Sequence, residues 1–393
     1  MTEIAIIGGG IGGLTTAIAL RQFGINCQVF EQAPELLDVG AAIAVWPNAT
    51  RVLAKLNLLE RVLAESGAMR EIRWLHSDGS LINRISLSCF DLETAPAIAL
   101  HRANLQHILL EALPEDAVKL GHEFVAFHAP GTTLDVEFAK GASVSCDFLI
   151  GADGIHSEVR KKVTDSAAPV YRGYQVWRGI SAIKPQELEP NVACELHDRG
   201  KRFGIGPVGH GKVGWWAAAN PEPNTHLTSE GKETTAHHAT QGELLELFTG
   251  WYPAVLELIA NTPPDSILRT DAYDLPAQQP WGLGNVTLLG DAIHPTTPNL
   301  GQGGCMAIED ALVLTRCFVK YGLSATALRT YEHVRYARTS AIANYSRLYG
   351  AVGHLQNATA VNLRNRVMSL LPEPLVQRTM RLVFDYDAAR VRI

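Results

Sequence analysis

Apolar residues fall in short blocks along this chain, and the blocks change period. Ile4-Ala5-Ile6-Ile7 is continuously apolar and reads as a parallel strand buried on both faces. Leu14 to Gln22 has helical character and stops near Gly24; Cys27-Gln28-Val29-Phe30 is the next strand. Gly40 to Asn48 then precedes a helix from Ala49 to about Leu56. Ile72 to Ile85 alternates around Ser77-Asp78-Gly79-Ser80 as a hairpin. His101 to Leu113 is helical with Arg102 in its first turn, and Val118 to Phe148 alternates in short strands. Phe148-Leu149-Ile150 is another buried strand, running into Gly151. From about Val170 to Asp274 the chain is richer in Trp, Gly and Pro, with strand patterns and one inserted helix near Gly242 to Phe248. Asn285 to Gly290 is again a strand, and Glu309 to Tyr321 and Thr326 to Tyr349 are long helices.

Glycines punctuate the strand ends. Gly8, Gly10 and Gly13 form G-x-G-x-x-G directly after the first strand. Gly8 allows the turn, Gly10 lets a pyrophosphate approach the backbone, and Gly13 lets the helix pack on the strand. The helix start favours phosphate through its N–H groups and dipole. Glu31, about 20 residues on, suits an adenosine ribose and argues against a 2′-phosphorylated nucleotide held tightly there. Gly151-Ala152-Asp153-Gly154 and the segment Gly290-Asp291 through Gly303 mark two later strand ends. The expected fold is α/β: a discontinuous Rossmann-like nucleotide domain (1–70, 98–168 and 275–340), an inserted β-sheet domain (71–97 and 169–274) and C-terminal helices (341–393).

Composition narrows the partners. At 393 residues there is ample length for a core, and 47% hydrophobic with 19% charged residues is ordinary for a globular chain. The net charge of −6 gives no basic field for nucleic acid. No apolar run has the length of a spanning helix and the N-terminus opens directly on a strand, so the expectation is a cytoplasmic protein without a membrane segment. Cys27, Cys89, Cys146, Cys194, Cys305 and Cys317 are scattered without metal spacing; reduced thiols and no metal site are expected.

The three motifs together resemble the single-component FAD-dependent aromatic hydroxylases, the group of para-hydroxybenzoate and salicylate hydroxylases, from the N-terminus to about Arg338. Gly151 to Arg160 resembles the family's D-G segment, Gly290 to Gly303 its G-D segment, and Ala307-Ile308-Glu309-Asp310-Ala311 the usual continuation. Gly40 to Asn48 and Gly200-Lys201-Arg202 are similar to urate hydroxylase and the alkylquinolone hydroxylases in particular. The resemblance implies a tightly but non-covalently bound FAD. It assigns to that FAD Gly8, Gly10, Gly12, Gly13, Glu31, Gln32, Ala44, Arg102 at the pyrophosphate, Phe124 beside adenine, and Asp153 in the loop shared with the incoming nicotinamide nucleotide. Asp291 would bind the ribityl chain, Pro298 would lie at the flavin edge where oxygen reacts, and backbone N–H groups of Gly301, Gln302, Gly303, Gly304 and Cys305 would face the pyrimidine end. A helix start there stabilises the negative charge of reduced flavin. Many relatives have Asn where this chain has Cys305.

The implied reaction is hydroxylation of an aromatic or heteroaromatic small molecule by a flavin C4a-hydroperoxide, with NADH or NADPH as transient reductant and O2 as oxidant. The protein would exclude water, place the ring and help remove a proton. Catalytic candidates are Arg202, Arg178, Pro298 and His294, although the first reading of His294 is a hydrogen-bonded structural histidine rather than an acid/base. Trp177, Trp215 and Trp216 are candidate pocket residues; alternation puts Trp215 and Trp216 on opposite faces. Arg178 and Arg202 lie on separate strands and could converge on an anionic or carbonyl-rich substrate. Arg178 and Gly214 replace the Asn and Tyr of urate hydroxylase, which points away from urate towards a heteroaromatic or phenolic acid. The tail from Val361 to Val383, broken at Leu371-Pro372, reads as a docked amphipathic helix, with packing over the active site, a homodimer contact or a membrane surface as its alternatives. A flavin oxidoreductase without oxygen insertion, an epoxidase and a non-catalytic flavoprotein are the competing functions.

Overall fold

A computed structural model describes residues 2–35, 40–164, 168–221, 234–235 and 239–393. The junction at 165–167 and much of the stretch from 222 to 238 thus lie outside the described residues. The chain opens with β1 (Thr2–Ile7), α1 (Ile11–Gln22) and β2 (Cys27–Phe30). Next come β3 (Ala42–Val45), α2 (Pro47–Lys55), α3 (Leu59–Ala64), β4 (Gly67–Met69), β5 (Glu71–His76) and β6 (Leu81–Ser86). β7 (Ala97–His101) leads into α4 (Arg102–Glu111), then β8 (Val118–Lys119), β9 (Phe124–His128), β10 (Leu134–Phe138) and β11 (Ser143–Gly151). After α5 (Glu158–Val163) run β12 (Val170–Ser181), β13 (Val192–His197), β14 (Lys201–Pro207), β15 (Val213–Ala219) and β16 (Thr234–Thr235). α6 (Ala239–Leu247), α7 (Pro253–Ala260), β17 (Leu268–Asp274) and β18 (Val286–Leu288) precede the closing helices α8 (Gly303–Tyr321), α9 (Ala325–Gly353), α10 (Ala358–Leu370) and α11 (Glu373–Phe384).

The first sheet has the order β8-β2-β1-β11-β10-β9, with β18 on β11. β2, β1, β11 and β18 run parallel, and Ile4, Ala5 and Ile6 are fully buried between helical layers. That is why the first block is apolar at every position rather than at alternate ones. It is a doubly covered α/β sheet, as the motifs predict.

The second sheet has the order β16-β17-β12-β15-β14-β13-β5-β6. Its register puts Val176, Ala218 and Arg202 in one cross-strand row and Arg178, Trp216, Gly204 and Glu195 in the next. The opposite face carries Trp177, Phe203, Trp215 and Leu196, which pack against Leu244 of α6, Phe248 just beyond it, and Val255 and Leu258 of α7. One face is thus a core and the other is turned to the cofactor side, with the period-2 alternation of a one-sided sheet.

Several elements differ from the sequence expectation. Two helices, not one, cover the second sheet: α7 follows α6, starting on Pro253. Its run Ala254-Val255-Leu256-Glu257-Leu258-Ile259 is too short and too apolar for periodicity to separate helix from strand. α8 begins at Gly303, six residues before the expected Glu309, and α1 at Ile11. Low glycine propensity hides both starts, while packing and the need for free N–H groups set them.

Candidate active site

Because β1, β2, β11 and β18 are parallel, their carboxyl ends share one edge of the sheet. Gly8, Glu31, Asp153 and Asp291 follow those four ends directly or within two or three residues, so segments scattered along the chain converge. This edge is where α/β sheets bind ligands. Gly8 sits at φ +110°, in the region that favours glycine, and a Cβ there would lie 2.4 Å from the Ala152 carbonyl oxygen. A Cβ on Gly13 would meet the Gly8 oxygen at 2.0 Å, whereas one on Gly10 would meet nothing within 4 Å. Gly13 therefore permits close helix packing, and Gly10 leaves open space at the start of α1. Gly12 lies against Leu289 and Ala307 and permits α8 to pack closely. Glu31 accepts hydrogen bonds from the Gly9 N–H at 2.6 Å and the Ala33 N–H at 2.8 Å, which orients the carboxylate beside the turn. Gln32 is exposed beyond it, and Phe124 is buried at the start of β9.

Two helix starts at this cleft are bare. α1 and α8 have no side-chain cap and no acid in the first turn; α2 and α7 share both features but begin on proline at N1, which removes one donor, whereas α4, α5, α9 and α10 are capped by His101, Ser157, Ser324 and Asn357. Uncapped N–H groups need a partner. Buried Trp46 adds an indole N–H without a partner, 3.0 Å from where a Cβ on Gly301 would sit. Asp291 opens its carboxylate to the cleft although protein surrounds it, and that crowding raises its pKa despite nearby His294 and Arg102. A dinucleotide with an electron-rich ring fits this donor set: phosphate at α1, hydroxyls at Glu31 and Asp291, and a developing anion at α8.

Asp153 accepts from the Glu158 and Val159 N–H groups at 2.8 and 3.1 Å, so it fixes the turn into α5. Arg102 begins α4 and borders the adjoining cavity. Gln302 uses its side chain on Asn48, at 2.9 Å. Cys305 is buried, and burial pushes its thiol up to about 12, so it has no nucleophilic character.

The cavity has a volume of about 770 Å³. Its walls are Gly40–Ala44, Trp46 and Arg102; Tyr174, Val176, Arg178, Glu195 and Trp216 of the second sheet; Thr296 and Pro298–Gly304; and Leu371, Leu375, Val376, Thr379, Met380, Val383 and Phe384 near or on α11. Pro298 and Ala44 both border this cavity. Among the alternatives for the tail, the packing of α11 over the site is the one observed. Trp216 faces the cavity side, lying on Gly204, where a Cβ would be 2.0 Å from its indole nitrogen. Trp215 borders the cavity as well but is only 1% exposed and gives its indole N–H to Thr262 in the core. Trp177 is in that core too.

The two arginines do not converge. Arg178 borders the cavity and donates to Thr270 at 3.2 Å. Arg202 is 0% exposed and lies behind the wall, with its guanidinium 5.0 Å from the ring centres of both Trp216 and Tyr349. It binds Glu195 through Nε and Nη2 and donates to Asn299 Oδ1 at 2.6 Å. Tyr349 donates to the other Glu195 oxygen at 2.9 Å. Burial alone would raise the Glu195 pKa; Arg202 and its other neighbours outweigh it and hold the carboxyl below its usual range. The Asn299 amide donates to Tyr174 Oη at 2.9 Å and to the Ser346 carbonyl at 3.0 Å. Arg202 lies against the Trp216 ring and off the cavity wall, while Arg178 borders the cavity, a packing choice that alternation does not reveal.

His294 is likewise not at the cavity wall. Its Nε2 is 2.6 Å from Asp310 Oδ2, and Asp310 also takes Arg335 Nε at 2.5 Å and the Gly290 N–H at 3.0 Å. Burial opposes ionisation of Asp310, yet His294 and Arg335 bring its pKa down to about 2. This buried cluster pins the Gly290 turn to α8 and gives His294 a structural place. The sequence expectations do not include Glu195, Tyr174, Asn299 or Tyr349 as site residues. Glu195 carried a usable signal: a charge at the inward parity of a strand, in step with Ala193 and His197.

No described helix is long and apolar enough to cross a membrane, and no cluster of metal-ligating side chains occurs among the described residues. An FAD binding domain family model matches residues 1–346. Aurachin C monooxygenase/isomerase of Stigmatella aurantiaca is 36% identical over 380 residues, spanning 96% of each chain. 3-Amino-4-hydroxybenzoate 2-monooxygenase of Streptomyces cremeus is 34% identical over 381 residues, 95% of this chain and 93% of its own. The crystal structure of Klebsiella pneumoniae HpxO complexed with FAD and uric acid superposes with a TM-score of 0.88 at 30% identity, over 96% of this chain and 95% of that one. The chain belongs to the FAD-binding-domain family of aromatic monooxygenases, and its cofactor is FAD.

Proposed function

We propose that this monooxygenase hydroxylates an aromatic or heteroaromatic small molecule held between the inner face of the second sheet and the Thr296–Gly304 segment. The observation that carries the reading is the Arg202 network. It ties the sheet wall, through Glu195, to Asn299, the residue beside Pro298, so the ring-binding wall and the cofactor-side turn are held in one geometry. Bound FAD supplies the oxygen chemistry, drawing reducing equivalents from NADH or NADPH. The residues do the rest. Trp216 offers a flat face to a ring, and Arg178 a cation to a carboxylate or carbonyl. Glu195, kept ionised by Arg202, accepts a hydrogen bond from a ring hydroxyl or N–H and orients it. The apolar walls keep water from the reacting atoms. Arg202, walled off from the cavity, is a positioning residue.

The test is NAD(P)H oxidation by the FAD-loaded enzyme across aromatic acids, heteroaromatic acids, purines and quinolones, with peroxide quantified and products weighed. A compound that speeds oxidation at low peroxide and gains one oxygen supports the reading. Failure to hold FAD on reconstitution, or no stimulation by any ring compound, sinks it.

A further inference from the structure

We infer that the outer face of the helix pair α10–α11 docks on an anionic lipid surface, with its leucines entering the interface and its arginines on the phosphates. Both helices are fixed to the edge strand β6. The Asn83 amide of that strand donates to the Met368 and Leu371 carbonyls at the end of α10, at 2.8 and 3.1 Å. Ser86 gives its N–H to Glu373 of α11 at 2.7 Å, and its carbonyl accepts from Gln377 at 3.0 Å. With their inner faces committed to one strand, the two helices turn their backs outwards together. α10 buries Val361, Arg364 and Asn365, and α11 buries Val376, Val383 and Phe384. The sides left over are not polar. Leu363, Val367 and Leu370 are 62%, 50% and 71% exposed on α10, and Leu375 and Leu382 are 51% and 62% exposed on α11. Steps of three, four and seven residues put them on one stripe of each helix. Leu370, the most exposed, stands where the chain turns from one helix into the other.

Exposed apolar side chains by themselves name no partner; the charges among them do. The chain has a net charge of −6, yet residues 358–384 hold Arg364, Arg366, Arg378 and Arg381 against the single acid Glu373. Glu373 is already occupied by the Ser86 N–H and by Gln377. Arg364 is buried on the Val352 and Gly353 carbonyls, and Arg381 reaches the Cys89 carbonyl and Asp385. Arg366 and Arg378 are exposed beside the two leucine stripes and form no ion pair among the described residues. Leucine stripes edged by such arginines suit the boundary of a bilayer. Guanidinium groups there meet headgroup phosphates, and leucines enter the acyl layer without needing a matching pocket. A folded partner would need a recess for each protruding side chain, and a second copy of this face would set arginine against arginine. No described helix is long and apolar enough to cross a membrane, so the contact is peripheral and reversible.

The test is flotation of the FAD-loaded enzyme with vesicles of phosphatidylcholine, either pure or containing about a third phosphatidylglycerol. The enzyme should bind the anionic vesicles about tenfold or more above the neutral ones at low salt, and should be released as salt is raised. Leu363→Gln with Leu370→Gln, and separately Arg366→Gln with Arg378→Gln, should each weaken binding about tenfold or more. All four side chains are exposed, so melting temperature and the absorption of bound flavin should match the parent, which separates lost docking from lost fold. No binding to anionic vesicles, equal binding to neutral ones, or unchanged binding by both double variants overturns the proposal. So does a concentration-dependent dimer in sedimentation that Leu363→Gln with Leu370→Gln dissolves, because the face then belongs to a second copy.

Discussion

Gly10 and Gly13 are three residues apart and do different work. A Cβ on Gly13 collides with the Gly8 carbonyl, while one on Gly10 meets only open space. Gly13→Ala is expected to destabilise the protein by about 1–3 kcal/mol, since overpacking forces the helix off the strand. Gly10→Ala should leave the melting of FAD-stripped protein nearly unchanged but weaken FAD binding at least tenfold. Thermal melts with and without FAD, together with fluorescence titration, separate the two; wild-type FAD affinity in Gly10→Ala would remove that residue from the cofactor site. Arg202 makes a second residue-scale case. Arg202→Gln leaves Glu195 in a buried setting without its cation and is expected to cost about 3–5 kcal/mol. Adding Glu195→Gln should return much of that loss, because no charge then remains stranded. Urea midpoints of the two single variants and the double variant test it; strict additivity would mean that the pair is not coupled.

Among elements, α8 and α11 set the shape of the site. α8 presents its first N–H groups to the cleft, while its Glu309 and Asp310 are buried against Arg335. The acids of the sequence motif thus hold a helix in place and do not touch the cavity wall. α11 closes the cavity from the other side and is clamped at its end: Phe384 stacks on Trp46 with ring centres 4.3 Å apart, and Arg51 donates to the Phe384 carbonyl at 3.0 Å. Phe384→Ala should lower stability by about 3 kcal/mol. It should also raise peroxide release per NAD(P)H oxidised, because a loosened α11 lets water reach the site. A destabilised variant with unchanged peroxide yield would show that α11 does not seal the cavity.

At the scale of the whole molecule, the interface between second sheet, α9 and α10 buries titratable groups. His197 and His354 lie near Arg202; burial, with help from that cation, lowers their pKa values to about 4 and about 3. Both are neutral in the folded protein, whereas an unfolded histidine takes up a proton near pH 6.5. Stability is therefore complete above that value and declines as the pH falls towards 4, by roughly 2 kcal/mol for each histidine at pH 5. Asp310 acts in the same direction but in a lower window, its stabilisation being lost only as the pH falls from about 4 to 2. Melting temperature should accordingly drop by a few degrees between pH 7 and 5, and His197→Gln should flatten that slope. A flat profile in the parent protein would rule out buried neutral histidines.

The sequence by itself determined the α/β class, the glycine turn after β1, the far segment at Gly290 and the FAD they share. Each of these is a local pattern: strand, turn, helix start or a fixed short spacing, whose physics acts within one or two turns of chain. It also determined the parity of the second sheet, since Trp215 and Trp216 must point apart on any extended strand. What only the tertiary structure decided is which side chains meet. Arg202 packs against Trp216 off the cavity wall that Arg178 borders, Asp310 holds His294, Glu195 and Tyr349 come together from β13 and α9, and α11 becomes a wall of the cavity. Those meetings join residues far apart in the chain, and they follow from strand order and helix packing, long-range choices that no local pattern encodes.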